Sequence, residues 1–597
     1  MSESIPRAEY PRPQFRRKDW LCLNGSWQFE IDPGDSGEQR GLVDRELADS
    51  ILVPFCPESA LSGIEHVDFM AAVWYRREVD VPAEWAGRRV LLHLQAVDYD
   101  TTVWAEGQVA GEHRGGWTPM TCDLGNVAGH TITIVIRARD DAKRQKPRGK
   151  QSDAYHNSGC HYTRTTGIWQ SVWLEPVPDV ALRRPRLWPD VAGGRICLEQ
   201  PIEAGGPGPH RPGLRLRAAL RDEQGIVATA ECEVAEFCPR LDLPVAPERR
   251  RLWSPDDPHL YDLTIELLTA DGGLIDAAES YAALRSVTLD GQAFCLNGEV
   301  LFQRLVLDQG YYPEGIMTAP TDEAMAGDIK LAQEAGFNGA RLHQKVFEER
   351  FLYHADRLGY LCWGEFGDWG IGEQTPQAEA IGQWTEAVTR DLSHPCIIGW
   401  CPLNEQPYRG RWHDALPSLM SVLQQVTKAI DPTRPVIDSS GWVHVVEQPD
   451  MTDSHDYTQD PEELAANHAG LANGWGYAHP GARRKAAAYR GAPFLVSEFG
   501  GTWWNPQAAG GEGSWGYGER PATEEEFYER FQALCGVLLD NPHLCGYCYT
   551  QLTDVFQEQN GLYGFDRDAK FDIERLRQIQ QRAAAIEQTA QQGAGEE

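Results

Sequence analysis

The chain has 597 residues, too many for one hydrophobic core, and this length sets an expectation of roughly three or four domains. Against 55 Lys and Arg stand 88 Asp and Glu, a net charge of −33, and such a field repels phosphate backbones and anionic membranes, arguing against nucleic-acid and lipid-surface roles. Hydrophobic residues at 42% and charged residues at 24% are ordinary for a globular protein, and the excess lies in 20 tryptophans, which suit sugar faces as well as cores.

The first residues, MSESIPRAEYPRPQFRRKDW, hold no apolar signal segment. No run approaches the ~18 apolar residues of a membrane span. A cytoplasmic protein is therefore expected. Its 14 cysteines are scattered, and Cys545 and Cys548 stand alone on one strand. Reduced, buried thiols are expected, and no metal site.

From about residue 20 to 180, segments such as SWQFEID, VWYRREVDVP, RRVLLHLQAV and TITIVIRARD alternate in polarity and are divided by Gly, Pro and Asp. No long helical pattern intervenes, so residues 1–180 read as a β-sandwich. A second β set, GLRLRAALRDEQGIVATAECEV and LYDLTIELLTADGGLIDAAES, makes residues 181–287 an immunoglobulin-like sandwich. The Gly/Pro-rich EAGGPGPHRPG within it reads as an exposed loop.

After residue 288 helices alternate with strands. PTDEAMAGDIKLAQEAG has Thr321 as N-cap, acids in the first turn and Gly336 past the end. ATEEEFYERFQALCGVLLD opens with a capping box of Thr523 and Glu526. The strands in order are LFQRLVL, FNGARLH, YLCWGE, IIGWCPL, PVIDSS, TDSHDY, PFLVSEF and CGYCYTQL. Eight strands with helical crossovers give residues 288–597 the pattern of a (β/α)8 TIM barrel.

Active sites of such barrels lie at the C-terminal strand ends. Those ends supply Asp308, His343, Glu365, Asn404, Glu405, Asp438, His455, Asp456, Glu498 and Asp554. Glu405 and Glu498 stand out because each follows an apolar strand, where a purposeless carboxylate costs several kcal/mol. On this strand count they close the fourth and seventh strands and face each other across the mouth. Paired carboxylates bracketing one bond are the requirement of glycoside hydrolysis: one protonated to serve the leaving oxygen, one ionised at the anomeric carbon. Asn404 is placed to hydrogen-bond a sugar hydroxyl such as the 2-OH. Asp308, His343, Gln344, Glu365, His455, Asp456, Arg304 and Arg341 are the other polar candidates for the pocket. For Glu365 a structural pairing with Arg341 or Arg304 is the competing reading. Trp503 and Trp504 are candidates to stack on a sugar ring, with core packing as the alternative, and Tyr457 to orient the carboxylate of Glu498. A metal-dependent hydrolase would need His343, His455 and Asp456 to converge on an ion.

LNGSWQFEID, YTRTTGIWQSVWLEPV, RLWSPDDPHLYDLTIEL, RDLSHPCIIGWCPLNE and FLVSEFGG together resemble glycoside hydrolase family 2, which contains β-galactosidases, β-glucuronidases and β-mannosidases. The resemblance covers nearly the whole chain. It implies an exo-acting, retaining enzyme with Glu405 as acid/base and Glu498 as nucleophile. It also implies no organic cofactor and a glycoside or oligosaccharide as partner; a homo-oligomer is compatible with it. Departures mark a divergent subgroup. Gln344 takes the place of the usual histidine, shifting His343 by one, which on a regular strand would turn the ring to the opposite face. FQEQNGLYG has no lysine where β-glucuronidases read the sugar carboxylate. A β-galactosidase-like activity is the expectation, with α-L-arabinofuranoside, β-D-galactofuranoside, β-glucuronide and β-mannoside as alternatives. A non-catalytic carbohydrate-binding protein is the reading from another class. The loop KPRGKQSDAYHNSGCHYTR of the first sandwich is expected to reach the barrel mouth.

Overall fold

The computed structural model describes residues 5–141, 143–204, 213–372, 377–406, 412–478, 487–506 and 513–594; most of the Gly/Pro-rich loop at 203–213 lies outside them. Three bodies follow one another. In the first, a six-stranded antiparallel sheet packs on a four-stranded one. The alternation read in the sequence supplies its core: Trp27, Val73, Tyr75, Leu92, Leu94, Ile134, Ile136 and Leu174 point inward from the two sheets. The second body pairs a three-stranded with a four-stranded sheet around Leu198, Leu216, Leu243, Leu263 and Ile265, the seven-strand count of an immunoglobulin-like sandwich.

The third body is the barrel. Its parallel strands are β1 (Gln303–Asp308), β2 (Gly339–Leu342), β3 (Leu361–Glu365), β4 (Ile397–Cys401), β5 (Thr452–Asp456), β6 (Phe494–Gly500) and β7 (Leu544–Thr550). They pair in the order β4-β3-β2-β1-β7-β6-β5. Seven strands form a continuous sheet, not the eight expected. PVIDSS occupies the gap between β4 and β5 but forms only isolated bridges, Trp400 with Val436 and Asn404 with Ser440. Pro435 has no N–H for a ladder, and the side chain of Asp438 accepts from the N–H groups of Ser439, Val445 and Val446, tying the segment to its own turn.

Helix α1 (Asp322–Glu334) begins as expected, with Thr321 Oγ1 accepting from Ala324 N. Helix α2 (Glu349–Leu358) ends at Gly359 in the left-handed conformation. The strand β4 is buried throughout. Gly399 faces Trp363 of β3, and Gly364 of β3 faces Trp400. A Cβ on Gly399 would meet the Trp363 ring at 2.5 Å, and one on Gly364 the Trp400 ring at 2.6 Å. The two glycines thus make room for two indoles, and the chain leaving the strand carries Asn404 and Glu405.

Polar contacts lock the bodies together. Arg17 joins Glu175 of the first sandwich to Asp276 of the second at 2.7 and 2.9 Å. Tyr281 of the second sandwich donates to Asp356 of the barrel at 2.7 Å, and Trp253 to the Asp356 carbonyl at the same distance. All fourteen cysteines are unpaired. Among the described residues no helix is long and apolar enough to cross a membrane.

Candidate active site

Arg341, at the end of β2, is fully buried and organises the floor of the barrel mouth. Its guanidinium donates to Glu498 Oε1 at 3.0 Å, Ser497 O at 2.9 Å, Glu365 Oε2 at 2.6 Å and Asn404 Oδ1 at 3.0 Å. One planar cation thus gathers the ends of four strands. Glu365 takes the structural role weighed for it, with Arg341 as partner rather than Arg304.

Glu405 and Glu498 converge. His455 Nδ1 lies 2.6 Å from Glu405 Oε1 and 3.3 Å from Glu498 Oε2, and the three donor atoms all lie within 4.8 Å of one another. Glu405 has φ of 49°, a left-handed turn after β4 that directs its side chain over the mouth. Tyr457 donates to Glu498 Oε2 at 2.6 Å and stacks on Tyr517 with ring centroids 3.4 Å apart. Burial pushes the Glu498 carboxyl up, but His455, Arg341, His343 and the Tyr457 hydroxyl outweigh it and bring it down to about 2. Glu498 is therefore ionised at any ordinary pH.

Asn404 holds its Oδ1 against Arg341, while its buried Nδ2 has no hydrogen-bond partner among the described residues. A buried donor left open costs free energy unless a ligand fills it.

His343 enters the mouth, with Nδ1 2.8 Å from Glu365 Oε1 and 4.0 Å from Glu498 Oε1. Burial pulls its pKa down. The shift of one position does not turn the ring away, because His343 shares the parity of Arg341 two residues before it, and the chain turns left-handed at Gln344, φ 52°, only after it. Gln344 instead turns aside, its Nε2 donating to Asp368 at 2.6 Å and its Oε1 accepting from Trp369 N at 3.1 Å.

Four candidates face elsewhere. Arg304 lies near the start of β1 and is held by Glu587 at 2.9 Å and the carbonyls of Gln580 and Arg582; even-numbered residues of β1 alternate to the outer face. Asp308 shares that face, accepts from Gly310 N at 2.8 Å and lies toward Asp328 of α1. Asp456 accepts from Thr458 N and Asn467 Nδ2 and lies 3.2 Å from His468. That removes the convergence of His343, His455 and Asp456 that a metal reading needed. Trp504 packs on Phe527 and Phe571, the core alternative. Trp503 is half-buried and donates to Ser514 Oγ at 3.2 Å.

Lys150, Tyr162 and Glu558 carry no signal of their own in the sequence, although the loop bearing the first two is the one expected at the barrel mouth. The loop of the first sandwich lies along the barrel rim: Lys146 N, Arg148 N and Gly149 N donate to the carbonyls of Gly370, Trp369 and Gly367. At Gly149, φ 62°, a Cβ would meet Gln344 O at 2.2 Å. This approach brings in Lys150, 6% exposed, whose ammonium lies 4.4 Å from the centroid of Trp369. Burial works against its charge, yet Cys160, Glu558, Glu498 and Glu405 outweigh it and raise its pKa. Tyr162 of the same loop donates to Glu558 Oε2 at 2.5 Å. Glu558 sits in FQEQNGLYG, the segment noted only for its missing lysine.

The family model for glycosyl hydrolases family 2 matches residues 220–285, in the second sandwich. A β-glucuronidase of Paenibacillus borealis is 25% identical over 456 residues, 69% of this chain and 72% of that protein. A β-galactosidase of Thermoanaerobacter pseudethanolicus is 24% identical over 341 residues, 56% of this chain but only 44% of the relative's length. In three dimensions the β-glucuronidase of Ruminococcus gnavus superposes with a TM-score of 0.77 at 17% identity, covering 97% of this chain and 100% of its own. A β-galacturonidase of Eisenbergiella tayi gives 0.76 at 18%, covering 96% and 99%. With a family match inside one sandwich, relatives aligned along most of the chain and a three-body fold shared from end to end, this chain is similar to the glycoside hydrolases of family 2.

Proposed function

We propose that the enzyme is an exo-acting retaining glycosidase, with Glu498 as nucleophile and Glu405 as acid/base. One observation carries this reading: donor oxygens of the two glutamates lie within 4.8 Å of each other. Retaining enzymes hold their carboxyl groups ~5–5.5 Å apart, whereas inverting ones need ~6.5–9.5 Å to admit a water. Glu498, kept ionised by Arg341 and Tyr457, attacks the anomeric carbon while Glu405 protonates the departing oxygen. Glu405 then removes a proton from the water that cleaves the glycosyl ester. The open Nδ2 of Asn404 suits the sugar 2-OH, a contact that strengthens in the transition state. A complete acid–base pair with its supporting donors argues against a merely sugar-binding protein. Glu498→Ala is expected to abolish turnover of a nitrophenyl glycoside, and added azide to restore part of it as the glycosyl azide of inverted configuration; a folded variant with no such product sinks the assignment.

For the sugar, a neutral β-galactoside-like residue is favoured. Glu558, buried beside Lys150 and held by Tyr162 and Asn560, puts a carboxyl group near the mouth whose pKa burial raises, and a carboxyl group there suits hydroxyls better than a second, uronate carboxylate. The Lys150 ammonium, with no carboxylate at ion-pair distance among the described residues, favours a second reading, a uronide whose carboxylate it would receive. A panel of nitrophenyl β-D-galactopyranoside, β-D-glucuronide, β-D-mannoside, β-D-galactofuranoside and α-L-arabinofuranoside separates the two. The neutral reading expects the glucuronide to be among the poorest. The uronide reading expects it to lead, and Lys150→Met to lower its kcat/KM about 100-fold while sparing neutral sugars.

A further inference from the structure

His455 touches both glutamates through Nδ1, and its Nε2 is committed as well. Behind it lies Asp453 of β5, fully buried. Asp453 accepts from Ser440 Oγ at 2.6 Å, from Ser497 Oγ and from Gly441 N at 3.1 Å, with His444 Nε2 3.0 Å away. Burial alone would push this carboxyl up, but His444, His455 and the Ser440 hydroxyl outweigh it and hold it well below the usual range. His444 in turn lies 2.7 Å from Asp438; burial pushes it down, yet Asp438 and Asp453 keep it charged.

Proton accounting then fixes the imidazole. An ionised Asp453 only accepts. Ser440 has a single hydroxyl proton and gives it to Asp453, so Ser440 Oγ must accept from His455 Nε2, 2.9 Å away. Nε2 therefore carries hydrogen in either charge state, and His455 can gain or lose a proton only at Nδ1. That nitrogen faces Glu405 Oε1 at 2.6 Å, a separation that requires a proton between the two atoms. Gly441 presses its backbone on the ring: a Cβ there would lie 2.5 Å from His455 Cγ. The groups that bear on the charge of His455 are Glu498, Glu405 and Arg341 in the mouth, with the Asp453–His444–Asp438 chain behind Ser440.

We propose that the acid/base is a Glu405–His455 pair sharing one proton, and that Ser440 and Asp453 are positioning residues that lock His455 in the Nε2–H tautomer. This rests on the reading of Glu405 as acid/base and deepens it. As the anomeric C–O bond breaks and the Glu498 ester forms, the shared proton leaves on the glycosidic oxygen. Glu405 is then a carboxylate facing the lone pair of Nδ1. Two electron-rich atoms at that separation raise the carboxylate's affinity for a proton, which it takes from the water that attacks the ester. Glu498 is freed and the pair restored, with no further reactant.

Ser440→Ala removes the acceptor of the Nε2 proton. The neutral imidazole then places its hydrogen on Nδ1, donates to Glu405 and stabilises the carboxylate. The alkaline limb of kcat/KM for a nitrophenyl glycoside is expected to move down by about one pH unit or more, and Ser440→Thr to restore it. Dinitrophenyl glycosides, whose leaving group needs no proton, are expected to keep most of their rate. In histidine-labelled enzyme, nitrogen NMR is expected to find His455 hydrogen on Nε2 in the wild type and on Nδ1 in Ser440→Ala. A reduced rate with an unmoved limb, or Nδ1–H already in neutral wild-type His455, overturns the proposal. Full activity of Glu405→Ala on poor leaving groups would overturn the parent reading instead, while the NMR arm still reports the tautomer.

Discussion

Arg341 decides more at the level of single residues than either glutamate does. Its guanidinium neutralises Glu365 and Glu498 together, and both carboxyls lie below their ordinary value despite burial, which pushes each up. Carboxylates with depressed folded-state pKa values contribute stability that is full above their unfolded value and is lost as the pH falls through the folded one. For Glu498 that window runs from the ordinary 4.5 down to about 2. Arg341→Met takes from two buried anions the guanidinium they share, leaving Glu365 to His343 and Glu498 to His455 and Tyr457, and is expected to cost about 3–5 kcal/mol near neutral pH, with the deficit shrinking as the carboxyls protonate in acid. Thermal unfolding across the pH range checks this; a deficit that grows toward acid contradicts the pairing. Tyr457→Phe removes one donor from the nucleophile. It is expected to lower kcat about 10- to 100-fold and to shift the acid limb of the rate toward higher pH, read from a pH–rate profile.

The strand is the level at which the neighbouring Asn404 and Glu405 become intelligible. The run Ile397 to Cys401 is apolar on both faces because helices cover one side and the barrel interior the other. Its Gly399 is there for the Trp363 indole, as Gly364 is for Trp400. Gly399→Ala overpacks this layer and is expected to cost about 1–3 kcal/mol, measurable by denaturant unfolding, and to misplace Glu405 with a loss of kcat. A stability equal to wild type would mean that β3 and β4 tolerate sliding. The irregular 435–440 segment shows the opposite economy. Freed from ladder pairing on the β5 side, it turns Ser440 toward Asp453 and His455, an orientation that a regular strand flanked by two neighbours would not readily give.

Across the whole molecule, the first sandwich completes the barrel mouth. Its rim loop is held by backbone hydrogen bonds to Gly367, Trp369 and Gly370 and delivers Lys150 and Tyr162 beside Glu558. Specificity thus depends on how two bodies dock, an arrangement secured far away by Arg17, Glu175 and Asp276. Deleting residues 146–160 is expected to change the order of preference in the glycoside panel. Gly149→Ala, which forces a Cβ against the Gln344 carbonyl at a left-handed φ, should raise KM several-fold and cost about 1–3 kcal/mol of stability. An unchanged panel in both variants would show that the loop only covers the barrel.

The sequence by itself determined the three-body order, the two glutamates and the Tyr457 contact, because period-2 alternation, capped helices and carboxylates after apolar strands are local patterns with local causes. Arg304, Asp308, Asp456 and Trp504 also satisfied those patterns, and only the fold turned them outward or into the core. Strand parity relative to the barrel axis, and what a side chain meets on arrival, are not written in neighbouring residues. The same holds for Lys150, Ser440, Asp453 and Glu558. Their chemistry arises from approach: an ammonium brought from another body, a serine caught between an aspartate and a histidine. Tertiary packing makes those encounters, and burial gives them their strength, since charge and proton position count for most where water is excluded.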